Sequence, residues 1–243
     1  MNYESVLQTP LFWEKRSMIE RIVTLGDSTM QFNNQFKYPQ TGWPQALERF
    51  LRRNCPILNF AKNGRSTKSF IEQGLFAEAL KEIKENDLVL IEFGHNDLKK
   101  EDPLRYTTAY GTYQSNLKYM VEEVQKKKAE VILLTSITER KFENGELLKT
   151  HGDYPQAMKD LAKQLDVVCI DLFEKTREVL LEEGEELSKR FYMNFEAGLY
   201  ESKIEGCHDD THLRYEGAYM VANCFYKEMK RLKLYPEIFI TEA

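Results

Sequence analysis

Five short apolar runs rich in β-branched residues recur along the chain, and amphipathic stretches separate them. The runs are Arg21–Leu25, Pro56–Ala61, Asp87–Phe93, Glu130–Ser136 and Asp166–Leu172. Runs of this length with few polar positions are typical of strands buried on both faces, as in parallel sheets. The stretches between and after them repeat apolar residues at helical spacing. They lie near Trp43–Arg53, Leu75–Lys84, Thr108–Lys128, Pro155–Leu165, Phe173–Glu183 and Glu216–Leu232.

This alternation predicts an α/β fold in which helices cover both faces of a five-stranded parallel sheet. Right-handed crossovers favour a doubly wound, flavodoxin-like three-layer α/β/α sandwich with strand order 2-1-3-4-5. The 243 residues suffice for one large buried core, and no internal repeat or Pro/Gly-rich linker divides them. We therefore expect a single domain over residues 1–243, with residues 1–20 as an N-terminal arm.

Charge and cysteine content narrow the classes of function. The 34 basic and 39 acidic residues give a net charge of −5, which argues against nucleic-acid binding. The four cysteines show no CxxC and no zinc-like spacing. Residues 1–20 lack the basic start and apolar core of a signal peptide, and no apolar stretch is long enough to span a membrane. These features predict a cytoplasmic protein with reduced thiols and no membrane partner.

The first candidate for chemistry is Ser28, in the run Gly26-Asp27-Ser28-Thr29 that directly follows the first predicted strand. Glycine permits a tight turn there without a Cβ clash. A serine on such a turn presents its hydroxyl at the carboxyl edge of the sheet, where open α/β folds bind ligands. Most serines in turns only bond local backbone, so Ser28 becomes a candidate nucleophile only if a base can reach it.

The loops after the second and third strands open onto the same edge of the sheet. Gly64, in Asn63-Gly64-Arg65-Ser66-Thr67, offers a backbone N–H just before a helix that Ser66 or Thr67 could cap. Asn96, in Gly94-His95-Asn96-Asp97, offers a side-chain amide. Both residues could stabilise an oxyanion, and both could equally be ordinary loop formers.

A candidate base lies near the C-terminus, in His208-Asp209-Asp210-Thr211-His212. Asp209 stands three residues before His212, in a predicted loop ahead of the last helix, where a turn could bring the carboxylate against the imidazole. That arrangement leaves the other ring nitrogen free for Ser28. An isolated D-x-x-H is more typical of a polar loop that caps the following helix.

Together the four segments resemble the SGNH (GDSL-type) hydrolases in their order and spacing, over roughly residues 22–229. One branch of that family, the rhamnogalacturonan acetylesterases, is the most similar. The motifs that carry the resemblance to this branch are Asn63-Gly64-Arg65-Ser66, Ser69-Phe70, Gly94-His95-Asn96-Asp97 and Gly152-Asp153-Tyr154-Pro155.

The resemblance implies a role for each matching residue. Ser28 is then the nucleophile, His212 the general base and later acid, and Asp209, rather than Asp210, the orienting carboxylate. The backbone N–H groups of Ser28 and Gly64 and the amide of Asn96 form the oxyanion hole. The resemblance implies no metal and no organic cofactor.

Other residues near these motifs receive more general interpretations. His151 and Tyr154 follow the fourth strand and are expected to flank the acyl or sugar pocket. Asp27 and Asp97 are expected to hold their loops, and His95 and His208 to be structural or rim residues. A cluster of aromatic side chains is open to two interpretations, core packing or a sugar-stacking platform. Its members are Phe191, Tyr192, Phe195 and Tyr200.

The resemblance implies a serine esterase that hydrolyses short-chain acyl esters by a Ser-His-Asp acyl-enzyme mechanism. The favoured substrates are acetyl esters of pectin-derived (rhamnogalacturonan) or other carbohydrate oligosaccharides. An SGNH thioesterase or lysophospholipase-type acylhydrolase is the alternative within the fold. A non-catalytic carbohydrate-binding protein would be expected to lack Ser28 or His212. The sequence predicts no oligomeric state.

A metal-dependent phosphoesterase is the remaining alternative, because carboxylates, Asn and His all ligate divalent ions. Its ligands would be His208, Asp209, Asp210 and His212 with Asp27, Asn96 and Asp97. The Gly-His-Asn-Asp order differs from the Gly-Asn-His-Asp/Glu block of that family, and no Asp-x-His block follows the first strand.

Overall fold

A five-stranded parallel sheet forms the centre of the protein. The computed structural model describes residues 18–240, so residues 1–17 of the predicted N-terminal arm lie outside the described residues. In chain order the strands are β1 (Arg21–Gly26), β2 (Ile57–Asn59), β3 (Asp87–Phe93), β4 (Glu130–Thr135), β5 (Phe142–Glu143), β6 (Glu146–Leu147), β7 (Val168–Ile170), β8 (Tyr192–Phe195) and β9 (Cys207–Leu213). The α-helices are α1 (Trp43–Leu47), α2 (Thr67–Glu72), α3 (Leu75–Glu82), α4 (Gln114–Lys126), α5 (Tyr154–Leu165), α6 (Leu172–Leu187) and α7 (Tyr215–Arg231).

The order of strands in the central sheet is β2-β1-β3-β4-β7, and every neighbouring pair is parallel. The five strands are those that the apolar runs predict, and their order is the predicted 2-1-3-4-5. All seven residues of β3 are buried, including the terminal Asp87, because this strand is central and covered on both faces. The fold prediction is therefore confirmed.

Alternate residues of the strands enter two separate cores. Leu88 and Leu90 of β3 belong to the core that also contains Trp43 of α1 and Phe225 of α7. Val89 and Ile91 belong to the other core, beneath helices α2 to α5. Because successive side chains of a strand point to opposite faces, this division places the sheet between two helical layers.

The carboxyl end of β1 packs directly against β3. A Cβ atom at Gly26 would lie 2.8 Å from the carbonyl oxygen of Glu92, so a side chain there would displace one of the two strands. The close approach brings the turn after β1 beside the loop after β3. Within residues 18–240, no helix is both long and apolar enough to span a membrane.

Two antiparallel hairpins, β5–β6 and β8–β9, lie outside the predicted pattern. The second hairpin corrects one expectation, because Asp209 and His212 lie on β9 and not in a loop. Its ladder is irregular: Tyr192 pairs with Leu213, but the next residue of β8, Met193, pairs with Asp209. Residues 210–212 therefore bulge out of the ladder, and the bulge supplies the local turn between Asp209 and His212.

Candidate active site

The side chains of Ser28, His212 and Asp209 form a continuous chain of hydrogen-bond contacts. Ser28 Oγ lies 2.9 Å from His212 Nε2, and His212 Nδ1 lies 2.7 Å from Asp209 Oδ2. Ser28 is only 7% exposed, at the carboxyl end of β1. A hydroxyl, an imidazole and a carboxylate in this order can activate the hydroxyl as a nucleophile.

The bulge in β9 fixes the orientation of the imidazole. Asp209 Oδ1 accepts hydrogen bonds from the backbone N–H groups of Thr211 and His212, each at 2.9 Å, while its other oxygen faces the ring. Burial raises the pKa of Asp209, but the hydrogen bonds and charge of His212 outweigh burial and lower it to about 2. The carboxylate therefore stays ionised near neutral pH and holds His212 toward Ser28.

Asp210 points away from the imidazole. Its Oδ1 accepts hydrogen bonds from Arg140 Nη1 and from Asn194 Nδ2, both at 2.7 Å. Because neighbouring residues of the bulged strand face different partners, only one of the two adjacent aspartates contacts His212.

Asp27 holds the turn that carries Ser28. Its Oδ1 accepts hydrogen bonds from the backbone N–H and the hydroxyl of Thr29, both at 3.0 Å. Its Oδ2 lies 3.3 Å from Nδ1 of His95, in the loop after β3. Burial lowers the pKa of His95, but the charge of Asp27 outweighs burial and raises it to about 9. A buried ion pair therefore joins the loop of Ser28 to the loop of Asn96.

Gly64 and Asn96 line the same cavity as Ser28. Gly64 has a φ of +72°, a left-handed conformation that glycine adopts without strain, in the loop between β2 and α2. The Asn96 side chain is fixed at both ends: its Nδ2 donates to the carbonyl of Arg65 at 3.1 Å, and its Oδ1 accepts from Arg105 Nη1 at 3.0 Å. The structure thus brings together all the residues predicted for a triad and an oxyanion hole.

The cavity has a volume of about 710 Å³, and every residue lining it is polar or glycine. Four lining residues were missed by the sequence analysis. They are Gln40, Lys99, Arg105 and Glu139. Each lies in a segment that follows the carboxyl end of β1, β3 or β4, so topology could have pointed to these segments but not to the individual side chains.

The placement of His151 and Tyr154 corrects the expectation that they flank the pocket. His151 is 1% exposed and packs edge-on against His95, with ring centroids 4.6 Å apart. Tyr154 is buried and donates its hydroxyl to the carbonyl of Asp97 at 3.0 Å. Both side chains turn inward against the loop after β3, so neither lines the cavity.

The aromatic cluster is mostly core. Phe191, Tyr192 and Phe195 are buried, whereas Tyr200 is half-buried and packs against Tyr38. His208 lines the cavity and is exposed, as expected of a rim residue.

Two ligands of the metallophosphoesterase alternative, Asp27 and Asp97, lie outside the cavity and bond to other side chains. The Asp97 carboxylate accepts hydrogen bonds from the backbone N–H of Thr67 and the hydroxyl of Thr107. The Asp27 carboxylate contacts Thr29 and His95. Over residues 18–240 no group of three or more His, Cys, Asp or Glu side chains is placed to hold a metal ion.

Comparison with solved structures supports the fold. The protein YXIM from Bacillus subtilis superposes with a TM-score of 0.72 at 22% identity, over 89% of this chain and 58% of that one. The acetylxylan esterase Axe2 from Geobacillus stearothermophilus superposes with a TM-score of 0.60 at 16% identity, over 87% of this chain and 94% of that one. At these identities the likeness concerns the fold alone.

Sequence comparison gives nearer relatives, both from Bacillus subtilis (strain 168). The rhamnogalacturonan acetylesterase RhgT is 36% identical over 215 residues, which cover 88% of this chain and 91% of that protein. The protein named "Probable rhamnogalacturonan acetylesterase YesY" is 35% identical over 217 residues, 89% of this chain and 95% of that protein.

The model of the GDSL-like lipase/acylhydrolase family matches residues 24–199, a range that contains Ser28, Gly64 and Asn96. The predicted resemblance to GDSL-type hydrolases is therefore confirmed. By this match and by its relatives, the chain belongs to the GDSL-like lipase/acylhydrolase family and is a carboxylic ester hydrolase.

Proposed function

We propose that this protein is an acetylesterase that removes short acyl groups from carbohydrate oligosaccharides, with acetylated rhamnogalacturonan oligosaccharides as its substrates. The observation that carries the proposal is the chain of contacts from Ser28 through His212 to Asp209 at the wall of a polar cavity. In the acylation step, Ser28 Oγ attacks the carbonyl carbon of the ester while its proton passes to His212 Nε2.

The tetrahedral intermediate carries a negative charge on the former carbonyl oxygen. The backbone N–H groups of Ser28 and Gly64 and the Nδ2–H of Asn96 donate hydrogen bonds to that oxygen. The C–O bond to the sugar then breaks, and the leaving oxygen takes the proton from His212. A water molecule, deprotonated by His212, attacks the acyl-enzyme and releases acetate, and the proton returns to Ser28 Oγ.

The polar cavity supports a sugar ester over a lipid. Sugar hydroxyls can exchange hydrogen bonds with side chains such as Gln40, Asn63 and Lys99, whereas no aliphatic side chain lines the cavity to bury a long acyl chain. The names of the two nearer relatives support rhamnogalacturonan as the acetylated polymer. The polar lining and the names of the relatives favour an acetylesterase over a lysophospholipase-type acylhydrolase.

The test is acetate release by the wild type, Ser28→Ala and a control, Ser115→Ala, which changes an exposed serine on α4. We expect Ser28→Ala to lose nearly all turnover, and His212→Ala added to it to cost little more, because the residues act as a unit. Retention of substantial activity in Ser28→Ala would refute the mechanism. A higher kcat/KM on acetylated xylo-oligosaccharides than on rhamnogalacturonan oligosaccharides would keep the mechanism and refute the choice of sugar.

A further inference from the structure

Arg105 reaches the cavity from the segment after β3 and contacts the side chain proposed to bind the oxyanion. Its Nη1 donates a hydrogen bond to Asn96 Oδ1 at 3.0 Å. Its Nε donates to Asp102, three residues earlier, which fixes the position of the guanidinium. The guanidinium therefore links a surface carboxylate to the amide of Asn96.

The orientation of the Asn96 amide decides whether it helps or hinders the reaction. The two ends of a side-chain amide are nearly identical in shape, so a half-turn would exchange the N–H donors for the carbonyl acceptor at little steric cost. In the reversed orientation Oδ1 would lose its place beside Arg105, and the lone pairs of the amide would be turned toward the site of the developing negative charge. An oxyanion hole needs one orientation only.

The partners of Asn96 permit only the productive orientation. Arg105 has donors and no acceptor, so it can pair with Oδ1 but not with Nδ2. The carbonyl of Arg65 has only acceptor capacity, so it can pair with Nδ2 but not with Oδ1. With one Nδ2 hydrogen used by Arg65, the second remains available to the substrate.

Charge adds to this geometric effect. A donor on Oδ1 polarises an amide and makes its N–H groups stronger donors, most of all when the donor is cationic. The same guanidinium lies close to the second proposed donor, since a Cβ atom at Gly64 would be 3.9 Å from Arg105 Nη1. Arg105 therefore borders both donors contributed by the loops after β2 and β3.

We propose that Arg105 is a positioning residue of this enzyme, which orients and polarises the Asn96 amide for the transition state. The inference rests on the proposed function, because it assumes that Asn96 binds the oxyanion. It differs from a role in substrate binding, in which Arg105 would contact an anionic group of the sugar and its loss would act on KM.

The first experiment compares Arg105→Met and Arg105→Lys with the wild type on p-nitrophenyl acetate, which has no sugar. We expect Arg105→Met to lower kcat on the order of 10-fold with little change in KM, a smaller loss than removal of a whole donor. Arg105→Lys keeps the positive charge but lacks the planar set of guanidinium donors. We therefore expect its kcat to lie between those of Arg105→Met and the wild type. The matched control is Lys68→Met, because Lys68 Nζ bonds the same segment at the carbonyl of Pro103 and does not contact Asn96.

The second experiment is a double-mutant cycle with Asn96→Ala. If Arg105 acts through Asn96, Arg105→Met should lower kcat by less than about 2-fold once the amide is gone. An equal loss in both backgrounds, an effect confined to KM, or wild-type kcat in Arg105→Met would each overturn the inference. Thermal unfolding of every variant checks the fold. If Arg105→Met does not fold, Arg105→Lys replaces it in the double-mutant cycle.

The outcomes separate this inference from the proposed function. Loss of activity in Ser28→Ala and Asn96→Ala with none in Arg105→Met would leave the proposed function intact and refute only the role of Arg105. Full activity in Ser28→Ala would refute the proposed function itself.

Discussion

Arg140 holds Asp210 away from the imidazole of His212, with Arg140 Nη1 2.7 Å from Asp210 Oδ1. The guanidinium is almost fully buried and also donates to Ser188 and to the carbonyl of Glu185. A buried cation requires a carboxylate partner, and Asp210 provides it. Asp209 is thereby left to face His212 alone.

Because Asp209 contacts His212 and Asp210 contacts Arg140, we expect different results when each aspartate is replaced. Asp209→Asn should lower kcat on the order of 10³-fold to 10⁴-fold. A neutral amide in place of the carboxylate cannot stabilise the His212 imidazolium, and it favours the wrong tautomer of the neutral ring. Asp210→Asn should change kcat only a few-fold and instead lower the free energy of unfolding by about 1 kcal/mol, since the pair is half exposed on the side of Asp210. Steady-state kinetics and urea unfolding of both variants make the comparison. The reverse ranking in kcat would mean that the orienting carboxylate is misassigned.

Removal of the Asn96 amide should act on the transition state and not on binding. Asn96→Ala is expected to lower kcat by about 10²-fold to 10³-fold, or ~3–4 kcal/mol, with a much smaller change in KM. Asn223→Ala, which removes a half-buried amide from α7 outside the cavity, is the control and should leave both constants unchanged. A rise in KM at constant kcat would make Asn96 a substrate-binding residue.

The sequence was sufficient for the sheet because the strands of a parallel sheet are apolar on both faces. The runs at β1, β3 and β4 needed no tertiary context, and right-handed crossovers then favoured the doubly wound strand order. Ser28, Asn96 and His212 could be found because four motifs occur in a family order. Neither the strand order nor the order of the motifs depends on where an individual side chain points.

The errors arose where side-chain direction depends on the packing of loops. His151 follows β4 as a pocket residue would, but its ring turns inward against His95, and no periodicity indicates that choice. The bulge of residues 210–212 is a property of the β8–β9 ladder, which joins a short strand to a polar one. Arg105 was missed because a cation in a charged surface segment gives no signal of a contact with Asn96 nine positions away.

The lining of the cavity predicts a preference for short acyl chains. We expect kcat/KM to fall from p-nitrophenyl acetate to butyrate and to decanoate, because no aliphatic side chain lines the cavity to bury a long chain. A preference for decanoate would indicate that the substrate is a lipid and not an acetylated sugar.

The proposed serine esterase mechanism predicts that chelators leave activity unchanged. A serine–histidine site generates its nucleophile by proton transfer and requires no Lewis acid. Activity on p-nitrophenyl acetate with and without EDTA measures this directly, with re-addition of divalent cations as the control. Loss of activity that the cations restore would revive the metallophosphoesterase alternative.

A buried group of ionisable side chains lies beneath the turn of Ser28. Burial raises the pKa of Glu92 to about 7, and its carboxyl accepts hydrogen bonds from Thr29 and from the indole of Trp43. Beside it, the ion pair of Asp27 and His95 connects the loop of Ser28 to the loop of Asn96. Because these groups are cut off from solvent, their charge states contribute to stability.

The ion pair predicts how stability depends on pH. The pKa of His95 is about 9 in the folded protein, above the ordinary histidine value of 6.5, so folding is favoured by proton uptake. The corresponding stabilisation is complete below pH 6.5 and is lost as pH rises through 9. His95→Gln should therefore be less stable than the wild type near pH 6, and the difference between the two should narrow toward pH 10.

The control for this prediction is the imidazole that packs against His95. Burial and the charge of His95 lower the pKa of His151 well below its ordinary value, so this ring is neutral at every pH above that ordinary value. The stability difference between His151→Gln and the wild type should then stay nearly constant over the range in which that of His95→Gln narrows. Urea unfolding at intervals across this range measures both differences. If the difference in free energy of unfolding between the wild type and His95→Gln does not change with pH, His95 is neutral. Asp27 is then stabilised by its hydrogen bonds to Thr29 alone.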